Sequence, residues 1–429
     1  MFLKKSLSIA LFASFSSTIF AQGLVLNDEN LRTDLNWLNQ QGVIQISTST
    51  WPLSGDEIQR ALSQAKVTNN TQQKVVNSVI NTLQADNATV KVGLHAGTDL
   101  KTVPQAFGDN QKSQYQIAAE LNAGGDNWDA KLRVNGEKDP LIDNGNDANV
   151  EGSYIAGKLW NQWVIAGQIP TYWGPGHDGS LIRGDASRPV YGVTVQRAVQ
   201  IGGKGQPNSF KAYWNAMIGK DNGCDDSGCT SDENASNQIA GFDGRLLLQP
   251  LLNVPMSLYT QFVGEDEAGG LPAKYLYLAG ADFSSNYKNM PYQLYAEWAD
   301  TRTNGKAKGI SYNHHQYTDG YYQHGFPLGH AIGGDGQMYS VGGDIRFDVM
   351  NRLSGRAIYA KVNQSNLTIN AAFPKDDTVK GLDLTWTHYL KPTIPLKING
   401  WVSDSDLNGN DGGVSVGVEI PLERNMFRF

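Results

Sequence analysis

Val90-Lys91-Val92-Gly93-Leu94-His95-Ala96-Gly97 puts an apolar residue at every even position and a charged, polar or glycine residue at every odd one. A period of two is the signature of a strand with one apolar and one polar face. The pattern returns in Tyr115, Ile117, Ala119 and Leu121, which alternate with Gln114, Gln116, Glu120 and Asn122, Ala118 being the exception on the polar side. Trp128, Ala130, Leu132 and Val134 alternate in the same way with Asp129, Lys131 and Arg133. Similar stretches surround Val193–Ile201, Met256–Phe262, Tyr292–Trp298, Leu382–Trp386 and Leu396–Val402. A soluble sandwich also alternates, with both apolar faces in a dry core. Here charges and amides recur on the polar face in strand after strand, which fits a polar lumen, and the other face then meets lipid. In lipid the sheet must close, since an open edge leaves backbone groups unpaired. At roughly 19–20 residues per strand and connection, residues 88–429 hold about 17 strands, and single-chain bacterial barrels take even numbers, so about 16 or 18 are expected.

The period changes near Asn87. Upstream, Leu31, Leu35 and Leu38 form one helical stripe, Ile58, Leu62 and Ala65 a second, and Val75, Val76, Val79, Ile80 and Leu83 a third. Ser54 stands three residues before Glu57 as a capping box, and Pro52 stops a helix from entering from upstream. Helices this short need partners, so residues 22–87 are expected to form a small periplasmic bundle against one mouth of the barrel. Ahead of them, Lys4 and Lys5, the apolar run Leu7–Phe20 and the small residue Ala21 read as an export leader over residues 1–21. The run is too short to anchor the chain in a bilayer core of ~30 Å. At the other end Val414, Val416, Val418, Ile420 and Leu422 keep to even positions, whereas Phe427 and Phe429 are odd. With Pro421 lacking a ladder donor, a bulge or turn is expected in that last pairing.

Composition agrees with a barrel. The 429 residues include 47 Gly, which serve turns, and 18 Tyr, 14 Phe and 10 Trp, which favour the membrane interface. A net charge of −7 argues against the broadly basic surface that nucleic acid needs, so no nucleic-acid partner is expected, although a barrel can carry local basic patches inside a negative whole. The two cysteines, Cys224 and Cys229, lie in an acidic loop with Asp221, Asp225, Asp226, Asp232 and Glu233. In an exported chain they are expected to form a disulfide that shapes the loop. The acidic spacing is not that of a calcium loop, so no metal is expected there.

The densest chemistry lies in residues 171–190, which hold Trp173, His177, Asp178, Arg183 and Arg188. Pro175 between Gly174 and Gly176 makes a turn, so this stretch is not one regular strand. Trp173 offers an apolar face on which a sugar ring stacks, and the guanidinium forks suit hydroxyls and carboxylates. The competing reading is a folded-in loop whose arginines and aspartates satisfy one another. A second concentration comprises His314, His315, Tyr317, Tyr321, Tyr322, His324 and His330, with Asp319 and Asp335 nearby. His314 and His315 point apart if they lie on a strand, and the other spacings match no metal motif, so a luminal or outer lining is the simpler reading. There is no Gly-x-Ser-x-Gly elbow, His-Glu-x-x-His motif or phosphate loop. Neither catalysis nor a cofactor is expected.

Several segments carry a family resemblance: Leu31-Arg32-Thr33-Asp34-Leu35-Asn36-Trp37-Leu38, Ser47-Thr48-Ser49-Thr50-Trp51-Pro52-Leu53, and Tyr172-Trp173-Gly174-Pro175-Gly176-His177-Asp178-Gly179-Ser180-Leu181-Ile182 with Ala186-Ser187-Arg188-Pro189. Gly325-Phe326-Pro327-Leu328-Gly329-His330 followed by Gly333-Gly334-Asp335 is a further one. In order and content they resemble the Wzi family of outer-membrane capsule assembly proteins. The resemblance implies an all-β transmembrane barrel, 18-stranded in that family, with an N-terminal periplasmic helical bundle. It implies a lectin-like protein that binds exported capsular or extracellular polysaccharide and attaches it to the cell surface near a separate export machinery. Trp173, His177, Asp178, Arg183, Arg188, Tyr322, His324, His330 and Asp335 become candidates for binding the polymer or shaping the lumen. The chain is expected to be monomeric and to contact outer-membrane lipid and lipopolysaccharide. The alternative is an outer-membrane porin or polysaccharide-selective channel.

Overall fold

The computed structural model describes residues 23–109, 112–125, 127–143, 145–159, 162–195, 198–200, 224–225, 228–229, 239–268, 271–303, 309–313 and 319–422. His314, His315, Tyr317, Phe427 and Phe429 lie outside them.

Three helices form at the predicted stripes: α1 (Glu29–Gln40), α2 (Gly55–Ser63) and α3 (Asn70–Asp86). Asp28 caps α1, accepting from the Leu31 amide at 2.7 Å, and Asn69 caps α3, accepting from the Gln72 amide at 2.9 Å. The expected capping box at α2 does not form: Ser54 holds the N-cap position without a side-chain bond. Ser54 belongs instead to a two-residue strand, β3 (Leu53–Ser54), paired with β1 (Leu24–Val25), and Glu57 turns to Arg60 at 3.6 Å. Leu31, Leu35, Leu38, Ile58, Val75, Val79 and Leu83 pack in one core, which also takes in Phe107 and Tyr172 from beyond the bundle. At about 1.5–3 kcal/mol for each large apolar side chain fully buried, that core is what holds three marginal helices.

The rest is a closed antiparallel barrel. Its strands are β4 (Val90–Gly97), β5 (Ser113–Gly125), β6 (Trp128–Pro140), β8 (Tyr154–Leu159), β9 (Gln162–Gln168), β11 (Tyr191–Val195), β12 (Ala198–Gln200), β15 (Ala240–Leu247), β16 (Met256–Ala268), β17 (Leu271–Tyr287) and β18 (Met290–Asp300). They continue through β21 (Gln337–Arg346), β22 (Asn351–Val362), β23 (Asp377–Lys391), β24 (Ile394–Ser405) and β25 (Gly409–Leu422), which closes on β4. These are sixteen strands among the described residues, with the two-residue β7 (Ala148–Asn149) sharing an edge of β6 with β8. Even-numbered side chains of β4 face out, as Leu94 does, and odd ones face in, where Lys91 is buried; Ala118 of β5 faces the lumen opposite Gly93. The bulge expected at Pro421 is absent, for β25 pairs with β4 in unbroken register from Ser415 to Leu422. Pro421 lies past Val418, the last residue of β25 paired to β24, at a strand end where a missing donor costs least. The register shift falls instead between Tyr389 and Lys391.

The two rims differ. Connections at residues 126–127, 160–161, 196–197, 288–289, 347–350 and 392–393 are short, and 248–255 holds the small helix α4 (Gln249–Leu252). At the opposite rim most described connections are long, among them 98–109, 169–190, 319–336 and 363–376, with 406–408 the short exception. Short periplasmic turns and long outer loops are the usual asymmetry of such barrels. The bundle sits at the short-turn rim, where Trp37 Nε1 donates to the Ser285 carbonyl at 2.9 Å. On the luminal side, Asp34 of α1 accepts from Arg346 Nη2 at 2.9 Å and Arg352 Nη1 at 3.1 Å, partners 312 and 318 residues away.

Candidate functional site

After β9 the chain folds into the lumen. The short strand it forms there, β10 (Tyr172–Trp173), pairs antiparallel with β2 (Thr50–Trp51) of the N-terminal region, so the loop meets the bundle inside the barrel. Arg32 of α1 joins them. Its Nη1 donates to the Gly176 carbonyl at 2.7 Å and its Nη2 to the Gly174 carbonyl at 3.1 Å, and the guanidinium lies 4.2 Å above the Phe107 ring. The Gly174-Pro175-Gly176 turn presents those carbonyls to the guanidinium, which satisfies acceptors buried away from water. Tyr172 is fully buried, its ring edge-on to Phe107 at 4.8 Å, and its hydroxyl donates to the Gly176 carbonyl at 2.9 Å.

The next residues bind the wall. His177 stacks on Tyr295 at 4.3 Å, and its Nε2 is 3.0 Å from Asp282, which also accepts from Arg245 Nη1 at 2.6 Å. The amides of His177 and Asp178 donate to the two oxygens of Glu297 at 2.7 and 3.0 Å. Asp178 is buried between Arg356 Nη1 at 3.0 Å and the Tyr295 hydroxyl at 3.1 Å. Gln261 braces the turn, accepting from the Leu181 amide and donating to the Trp173 carbonyl, both at 2.7 Å. Arg183 is buried with its Nε on Thr171 Oγ1 at 3.0 Å. Arg188 grips Glu137 at 2.6 Å, Glu151 at 3.0 Å and the Ile142 carbonyl at 2.7 Å.

The long 301–336 connection covers this loop from the outer side. Tyr312 and Tyr321 donate to the carbonyls of Leu181 and Ile182 at 2.5 and 2.7 Å, and the Gly184 amide donates to the Leu328 carbonyl at 2.9 Å. His330 is fully buried against Gly179, where an added Cβ would lie 2.3 Å from the imidazole ring, so only glycine fits. Burial pushes the His330 imidazole down to about 4, with Asp178 opposing that shift. His177 is lowered for the same reason, with Asp282 opposing. Tyr322 of β19 (Tyr322–Gln323), which pairs with β20 (Phe326–Pro327), is buried and accepts from the Gly334 amide at 2.8 Å. Asp335 is buried too; its amide donates to Ser311 Oγ at 2.9 Å, and its carboxylate accepts from Ser365.

The structure therefore brings Trp173, His177, Asp178, Arg183, Arg188, Tyr322, His330 and Asp335 into one packed assembly inside the barrel. His324 alone among these candidates is exposed. Beside the assembly, a cavity of ≈ 400 Å³ runs along the β4–β6 and β23–β25 walls, bordered by Lys101, Asp109, Arg133, Lys397 and Glu419. Glu29 of α1 lines it with an exposed side chain. The anchoring residues Arg32, Gln261, Asp282, Tyr295, Glu297 and Arg356 were not singled out from sequence. They sit on polar faces of strands or in a helix, and alternation marks such positions as luminal without distinguishing an anchor from a wetted charge.

A family model described as capsule assembly protein Wzi matches residues 87–198 and 192–414. The chain is a member of the Wzi family. A Klebsiella pneumoniae relative described as an uncharacterized 55.8 kDa protein in the cps region is 37% identical over 97% of this chain and 93% of its own length. The solved structure of Escherichia coli Wzi, an outer-membrane protein involved in group 1 capsule assembly and a carbohydrate-binding β-barrel, superposes with a TM-score of 0.83 at 36% identity, covering 94% of this chain and all of that one. An anion-selective porin from Comamonas acidovorans aligns with a TM-score of only 0.36 and 12% identity. Membership of the Wzi family thus agrees with the barrel, the helical N-terminal region and the internal loop assembly.

Proposed function

We propose that this Wzi-family barrel is a non-catalytic, lectin-like protein that binds exported polysaccharide at its outer loops and attaches it to the cell surface. The observation that carries this reading is the filled lumen: the 169–190 loop is tied to Arg32 below, to Asp282, Glu297 and Arg356 around, and to the 301–336 connection above. A polymer chain has no room to thread such an interior, so contact belongs to the outer surface. That weighs against the porin or polysaccharide-selective channel reading. Eight of the nine candidate residues then shape the lumen, and the exposed His324 belongs to the surface that meets the polymer. The polymer is a capsular or loose extracellular polysaccharide, and its surface site lies close to the export machinery. Residues 1–21 act as the removed leader, 22–87 as the periplasmic bundle and 88–429 as the barrel, which works as a monomer surrounded by outer-membrane lipid and lipopolysaccharide.

The decisive measurement pairs binding of purified barrel to cell-surface polymer with fractionation of a strain lacking the gene. Polymer should be made in normal amount but shed into the medium. Loss of all polymer, or a purified barrel that retains no glycan, would overturn the anchoring role.

A further inference from the structure

The outer wall carries a cluster of cations at the rim that bears the long connections. Register places Trp298 of β18 opposite Tyr339 of β21, Tyr339 opposite Tyr359 of β22, Tyr359 opposite Lys380 of β23, and Lys380 opposite Asp404 of β24. Partners across a ladder share a face, and this one is the lipid face: Tyr339 and Tyr359 are 50% and 39% exposed, next to exposed Val341, Leu382 and Val402. Aromatic rows of this kind mark the boundary between hydrocarbon and headgroups. One row nearer the outer rim, Asp300 is opposite Gln337 and Gln337 is opposite the exposed Lys361. Arg302 follows, held by Asp300 at 2.6 and 2.9 Å. Lys380 thus stands level with the aromatic row, and Lys361 and Arg302 stand above it at headgroup depth.

We propose that this wall is a binding site for the phosphates of a phosphorylated glycolipid of the outer leaflet, with Lys361 and Lys380 as the phosphate contacts. The proposal deepens, and rests on, the reading that the barrel contacts lipopolysaccharide. Asp300, Asp404 and Asp406 share the wall, the Asp406 amide donating to the carbonyl of Thr378, the ladder partner of Lys361, at 3.2 Å, and the ties of the first two decide whether they compete. Lys380 meets Asp404 at 3.3 Å with both side chains more than half exposed, a pair of the kind worth little in water. A phosphate monoester brings up to two negative charges and three acceptor oxygens, so it displaces Asp404 from Lys380. Asp300 is already committed to Arg302 through both of its oxygens. The rings of Tyr339 and Tyr359 lie below, where the lipid's sugar and first methylenes rest.

The test uses the full-length barrel in detergent, titrated with bisphosphorylated lipid A and with its dephosphorylated counterpart and followed by native mass spectrometry. Wild type should bind the phosphorylated lipid about tenfold more tightly than the dephosphorylated one, a difference of about 1.4 kcal/mol. The double variant K361Q/K380Q should lose at least about fivefold while keeping the heat-modifiable mobility of a closed barrel. K138Q on β6, away from the cluster, should bind as wild type. A wild-type barrel that binds no lipid A refutes the lipopolysaccharide contact itself. If wild type binds but K361Q/K380Q matches it, if K138Q loses as much, or if the dephosphorylated lipid binds equally, this wall is not the site. Displacement of lipid A by equimolar inorganic phosphate would also overturn the proposal.

Discussion

His330 is a neutral imidazole held where no water reaches it, and that has a defined pH signature. Its ordinary pKa of 6.5 falls to about 4 on folding because burial penalises the charged form. Between those values the unfolded chain binds more protons than the folded one, so stability is complete above 6.5 and drains as pH falls towards 4. The loss is at most about 3 kcal/mol for this one group. Melting curves recorded from pH 7 to pH 4 should therefore fall less steeply in H330Q than in wild type, whatever the variant's absolute stability. Equal slopes would remove His330 from the account. A second residue-scale prediction concerns Cys224 and Cys229, which face each other in the short ladder β13 (Cys224–Asp225) and β14 (Gly228–Cys229). Exported protein denatured without reductant should take up no maleimide, and two equivalents after reduction; labelling before reduction would show free thiols.

At the scale of elements, the 169–190 loop depends on Arg32. Removing that side chain in R32A leaves the carbonyl of Gly174 without this donor and strips the cation from the Phe107 and Tyr172 rings. The expected cost is about 2–4 kcal/mol, from an unsatisfied buried acceptor and a lost desolvated cation–π contact. Limited proteolysis should then cut within 169–190 while the strands persist; an uncut loop would mean that Asp282 and Glu297 hold it unaided. The strands themselves were legible in sequence, because each reports its own two faces: Lys91 in and Leu94 out needs no knowledge of a partner. The helices were legible for the same reason. Ser54 misled because its ladder partner is Leu24, thirty positions upstream, and no local pattern announces that pairing. The loop was legible only as a turn at Pro175. Whether Trp173 and Arg188 met sugar or protein depended on Glu137, Glu151 and Gln261, which lie 37 to 88 residues from their loop partners.

For the whole molecule, the packed interior predicts electrical silence. In a planar bilayer the wild-type barrel should show no steady porin-like current, because the loop, α1 and the outer connections fill the section that a channel needs open. Deleting residues 171–186 should open a conductance, and an unchanged, silent barrel would mean that the bundle and the remaining connections seal it alone. Steady current through wild type would revive the channel reading.

The ion pairs of Asp34 with Arg346 and Arg352 link the start of the chain to its final quarter. Synthesis delivers the carboxylate first and its counter-ions more than three hundred residues later. Seating the bundle is therefore a late event in assembly, although its residues arrive early. A chain cut off before β21 contains every bundle residue, yet α1 should stay open to protease until the missing strands are supplied; in this protein, closing the wall and locking the first helix are one step.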